Sequence, residues 1–119
     1  MRINKKYNEL LQYLETATEE KEITWENVKD KEGYRVTIGN NAVVIKKRYG
    51  KDGVETGVSL LLYNDKGEKI DTIYTGSSYV GFCSLYHLYE CARRACLKVE
   101  ETLDEILAVL KAGRKTDCE

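Results

Sequence analysis

From Ser84 to Lys111 the chain reads SLYHLYECARRACLKVEETLDEILAVLK, with no proline or glycine in it. Within that stretch Leu85, Leu88, Ala92, Ala95, Cys96, Val99, Leu103, Ile106, Leu107 and Leu110 recur at steps of three and four. This is the period of a helix with one buried face. At about 1.5 Å per residue the helix would run roughly 40 Å, longer than a domain this small is wide. It therefore has to kink, near Lys98–Val99, or project toward a partner.

The other elements must supply what that stripe covers. Asn4 to about Glu20 has a second stripe of Tyr7, Leu10, Leu11, Leu14 and Ala17, with Lys5, Lys6, Glu9, Gln12 and Glu15 turned away. Ile23-Thr24-Trp25-Glu26 reads as a short strand or extended segment in which the only tryptophan plugs the turn between helix and sheet. From Gly33 the period drops to two. Strands are expected over Gly33–Ile38, Ala42–Tyr49, Val54–Tyr63 and Glu68–Thr75, separated by Gly39-Asn40-Asn41, Gly50-Lys51-Asp52-Gly53 and Asn64-Asp65-Lys66-Gly67. Such short turns make an antiparallel meander. The order α-β-β-β-β-α predicts a two-layer α+β domain with a four-stranded sheet, ordered over about 4–111 with a tail at 112–119. Leu61, Val44 and Ile73 make the second sheet face partly apolar, to be covered by the long helix or another subunit.

Lys+Arg 19 against Asp+Glu 20 leaves a net charge of −1, which gives the whole chain no pull toward nucleic-acid polymers or anionic membranes. No apolar run reaches membrane-spanning length, and the expected location is cytoplasmic. Cys83, Cys91, Cys96 and Cys118 read as reduced thiols, since Cys91 and Cys96 point about 140° apart on a helix. Nine tyrosines against one phenylalanine exceed what a core needs and hint at a contact surface.

Chemistry is concentrated just before and along the long helix. Between Asp71 and Glu90 no residue is charged unless His87 is protonated, and the first turn after Ser84 has no acidic residue to meet the helix dipole. An anion would fit there, cradled by Gly76-Ser77-Ser78-Tyr79-Val80-Gly81, although this loop matches no P-loop or dinucleotide fingerprint. The candidate ligand-binding residues are Ser77, Ser78, Tyr79, Tyr86, His87, Tyr89, Arg93 and Arg94, with arginine forks and tyrosine faces holding a phosphate-bearing ligand. The plainer reading pairs the arginines with Glu90, Glu100 or Glu101 on the surface.

HExxH and GxSxG are absent, and one histidine rules out a multi-histidine centre, so no metal or cofactor is expected. Cys83 and His87 stand four apart but lack an orienting acid, so no enzyme is expected either.

ITWE after a first helix, NDKGEKID in the meander and LYHLYECARRACLKVEETLDEIL together resemble a class of small helix, meander, helix proteins of bacteria and their mobile elements. The resemblance covers most of the chain. It implies this fold and a phage setting, in which single domains often act as inhibitors or ligand-sequestering proteins against host defence. Two functions are therefore expected to compete: a non-enzymatic, homo-oligomeric binder that sequesters an anionic nucleotide-like ligand, or a protein-interaction module that inhibits a host complex.

Overall fold

The alternation that starts at Gly33 becomes strand pairing, and the pairing sets which face each side chain takes. The computed structural model describes residues 5–28, 33–74 and 82–117. Helix α1 (Lys5–Glu19) leads into β1 (Glu26–Asn27), β2 (Gly33–Ile38), β3 (Asn41–Tyr49), β4 (Glu55–Tyr63) and β5 (Lys69–Tyr74). Helices α2 (Phe82–Cys96) and α3 (Val99–Asp117) follow. The protein is α+β, with an antiparallel sheet in the order β1-β2-β3-β4-β5 between N- and C-terminal helices. Five strands pair where four were expected. The last residue of the ITWE segment and the one after it form the added edge, Glu26 opposite Arg35 and Asn27 opposite Tyr34.

Tyr34 faces Ile45, Ile45 faces Leu60, and Leu60 faces Ile73, so one row crosses four strands on a single face. With Val36, Val43 and Val58 this row forms one core with Tyr7, Leu11 and Leu14 of α1 and Leu85, Leu88, Tyr89 and Ala92 of α2. Each fully buried aliphatic side chain there is worth about 1.5–3 kcal/mol of transfer free energy. Ile73 is completely buried on this inner face, which corrects its placement on the outer one. Tyr7 of α1 reaches across to donate a hydrogen bond to the Asp71 carboxylate on β5.

On the outer face Val44 lies opposite Leu61, and both are buried. They sit in a shallow trough edged by Arg35, Lys46 and Tyr63. The long helix does not cover them, because α2 packs on the inner face.

Turn chemistry explains the connections. Asn64 Oδ1 accepts from the backbone N–H of Lys66 and Glu68, both at 3.0 Å, and Gly67 takes φ +81°. After α1, Lys21 sits at φ +61° while the Glu22 N–H reaches back to the Ala17 carbonyl at 2.8 Å. That is a Schellman closure, with lysine in the place glycine usually takes.

The long apolar stripe does break where helix length demanded. Leu97 N–H still bonds the Arg93 carbonyl at 2.9 Å, but Lys98 adopts φ +56°, and the Thr102 N–H to Lys98 carbonyl bond of 3.0 Å opens α3. Helix α3 continues to Asp117, past the expected end at Lys111. It stands away from the body: the radius of gyration is 17.6 Å, against about 13.5 Å for a compact chain of this length. No helix among the described residues is long and apolar enough to cross a membrane.

Candidate functional site

Two features stand out: a groove where α1, the Trp25 segment and α2 meet, and the bare surface of α3. The groove follows from the Schellman turn after α1, which folds Ile23 and Trp25 back under the helix end. Trp25 is buried, and its indole N–H donates to Thr18 Oγ1 at 2.8 Å while the Thr18 hydroxyl donates to the Leu14 carbonyl at 2.6 Å. This chain of bonds satisfies the indole inside the core and holds the groove floor.

The groove encloses about 670 Å³, and its far wall is the α2 stripe of His87, Cys91, Arg94 and Ala95. Lys21, Arg94 and Lys98 line it, but so do Glu19, Glu90, Glu100 and Glu101. Its cations are already engaged in part: Arg94 pairs with Glu100, and Lys21 Nζ lies 3.5 Å from Glu101. Between the end of α1 and α2, a carboxylate oxygen of Glu19, a ring nitrogen of His87 and Cys91 Sγ lie within 4.8 Å of one another. Burial, reinforced by the Glu15, Glu19 and Glu90 carboxylates and only partly offset by Arg94, pushes the Cys91 thiol up to about 11. Burial likewise raises the Glu15 carboxyl, against the opposing pull of His87.

The other flank of α2 gathers the tyrosines. Tyr86 donates from its hydroxyl to Glu55 Oε2 at 2.8 Å, and Lys47 Nζ lies 3.4 Å from Glu55 Oε1. The Tyr86 bond, aided by Lys47, holds the Glu55 carboxyl below its ordinary value. Tyr89 is buried against Tyr34, ring centres 5.5 Å apart, with the Lys47 ammonium 5.5 Å from its centroid. Arg93 forks onto Glu90 Oε1 from Nε (3.2 Å) and Nη2 (2.9 Å), a bond that raises its guanidinium above the usual value.

The expected ligand-binding set is thus divided. His87 and Arg94 line the groove, whereas Tyr86 and Tyr89 turn to the sheet, and Arg93 is tied to Glu90 beside them. Ser77, Ser78 and Tyr79, with the rest of the 75–81 loop, lie outside the described residues, as do Cys118 and the side chains of Cys83 and Ser84. The plain pairing of the arginines with Glu90 and Glu100 is what forms. By sequence spacing alone, His87 is offered the Cys83 thiol as a partner. Its neighbour one turn onward, Cys91, and the Glu15/Glu19 pair at the same four-residue spacing on α1 were the legible signal passed over.

Helix α3 is the opposite of the groove. Leu103, Ile106, Leu107 and Leu110 are 44–56% exposed, and every described side chain from Glu100 to Gly113 is open to solvent. The same helix carries acidic residues at 100, 101, 104 and 105 and basic ones at 111, 114 and 115.

Comparison with known proteins adds no relative: no family model, curated protein or solved structure matches the chain.

Proposed function

We propose that the protein is a non-enzymatic interaction module whose working surface is α3, and that the partner seated on α3 is a second copy of the chain. The observation that carries this is the exposed Leu103, Ile106, Leu107 and Leu110 stripe on a helix that stands off the body. Val99, Leu103, Ile106 and Leu110 follow spacings of four, three and four, the seam of a two-helix coiled coil. The charge order selects the orientation: antiparallel pairing lays the acidic first half of one α3 along the basic second half of the other, whereas parallel pairing sets like charge against like. The seam is self-complementary, as a two-fold interface requires.

The anionic-ligand alternative draws less support. Among the described residues, the groove that holds His87 and Arg94 is lined by four carboxylates, and Arg93 and Arg94 already hold acidic partners. On this reading the α+β body is a scaffold, and the phage anti-defence setting that the resemblance implies suits a small domain acting by contact instead of turnover.

Sedimentation tests the assembly. The chain is expected to be a dimer at tens of micromolar, and Ile106→Glu, which puts a charge in the seam, is expected to be monomeric with unchanged helical signal. A monomeric parent, or a dimer indifferent to Ile106→Glu, would overturn the reading.

A further inference from the structure

The groove between α1 and α2 holds a donor set that neither its packing nor the interaction reading uses. Glu19 closes the last turn of α1, and His87 and Cys91 stand one turn apart on the facing side of α2. Their ligating atoms lie within 4.8 Å of one another. A zinc ion bound by carboxylate, imidazole and thiolate holds those atoms roughly 3.3–3.6 Å apart, given Zn–O and Zn–N bonds near 2.0 Å and a Zn–S bond near 2.3 Å. Side-chain rotations of about an ångström close that gap, and both His87 and Glu19 are exposed and free to make them. A second pattern points the same way. Glu15 precedes Glu19 by one turn on α1, as His87 precedes Cys91 on α2, and Glu15 is close enough to feel the charge of both His87 and Cys91. Facing helices that project donors inward, including pairs one turn apart on a single helix, are a known way to build a metal site in a helical core.

We infer that Glu19, His87 and Cys91 bind one zinc ion in the groove between α1 and α2, with the fourth position left to water or to Glu15. The thiolate excludes magnesium and calcium, which take oxygen donors, and the mixed oxygen, nitrogen and sulfur set suits zinc or its spectroscopic stand-in cobalt(II). On binding, Cys91 gives its thiol proton to solvent and becomes the thiolate ligand. Around Cys91 the Glu15, Glu19 and Glu90 carboxylates outnumber the opposing Arg94 guanidinium, a balance that suits a cation. The open groove supplies the entry path.

Cobalt(II) titration of the reduced, chelator-treated full chain tests the site. One equivalent is expected to give a thiolate-to-cobalt charge-transfer band with the intense d–d bands of a four-coordinate ion, both erased by one equivalent of zinc. Cys91→Ser should abolish the charge-transfer band, and Cys91→Ala repeats the test if the serine variant loses its far-ultraviolet helical signal. His87→Ala and Glu19→Ala should each weaken binding at least ~10-fold, while Cys96→Ser leaves it unchanged. Zinc should also raise the Tm of the parent and not of Cys91→Ala, because it links two helices only in the folded chain. The absence of a band, a band that survives loss of Cys91, or one lost with Cys83→Ser would each overturn the site. Ile106→Glu should bind cobalt as the parent does, which separates this result from the fate of the α3 seam.

Discussion

Helices α2 and α3 are written in the same amphipathic pattern and meet opposite ends. Leu85, Leu88 and Ala92 of α2 are completely buried, whereas Leu103, Ile106, Leu107 and Leu110 of α3 stay about half exposed. The difference arises at Leu97–Lys98, where one residue at φ +56° turns the second helix off the sheet that the first one covers. An apolar stripe therefore says that a face is to be buried and leaves open what buries it. On α2 the sheet and α1 bury it, and on α3 none of the described residues does.

Truncation should break the symmetry of the two stripes most visibly. Leu88→Ala removes a completely buried side chain and is expected to cost about 2–5 kcal/mol in urea melts. Leu107→Ala, made at concentrations where the chain is monomeric, should cost less than about 0.5 kcal/mol. Equal costs would mean that α3 is packed within one chain after all.

The groove floor comes next in size. Thr18→Val leaves the buried Trp25 indole N–H without its acceptor, and should lower stability by about 1–3 kcal/mol. Unchanged stability would show that the indole finds another acceptor.

The hinge sharpens the comparison with a gain. Lys98 holds a left-handed conformation that costs a side-chain-bearing residue about 1 kcal/mol, so Lys98→Gly should stabilise the chain by roughly 0.5–1 kcal/mol. Destabilisation would mean that the lysine side chain contributes more than its backbone costs.

The smallest effect concerns the tyrosine flank of α2. Glu55 is held below its ordinary value first by the Tyr86 hydroxyl and then by Lys47. Its contribution is accordingly present above the ordinary carboxylate range and lost as pH falls through the lowered value. In Tyr86→Phe the Glu55 carboxyl should titrate higher, followed by NMR of its side-chain carbon. An unmoved titration would assign the shift to Lys47.

Much of this was legible because it is local. Period-two alternation located β2 to β5 to within about a residue, and Asn64 to Gly67 announced a turn whose hydrogen bonds all lie within five residues. The Ile23–Glu26 segment, left outside the expected four-stranded sheet, contributes only Glu26 to a fifth strand, whose other residue is Asn27. Ile73 lies on the inner face and not the expected outer one because β5 mixes apolar and polar residues on both sides: Ile70, Thr72 and Tyr74 look as buriable as Asp71 and Ile73 until register with Leu60 decides.

The site was legible in its residue types and not in its grouping. Helical spacing alone allowed His87 to share a surface with Tyr86 and Arg93. Docking of α2 rotated Tyr86 and Tyr89 toward the sheet and left His87, Cys91 and Arg94 facing the end of α1.

The helices, strands β2 to β5, their order and the break in the last helix could be read off the chain, because each depends on neighbours a few residues apart. Only the tertiary structure decided which flank of α2 meets α1, that Glu19 reaches His87 and Cys91, and that α3 leaves the body with its stripe uncovered. Those outcomes depend on contacts between residues 60–80 positions apart in the chain, whose rotation and register are set by how the whole core packs, and no local period encodes them.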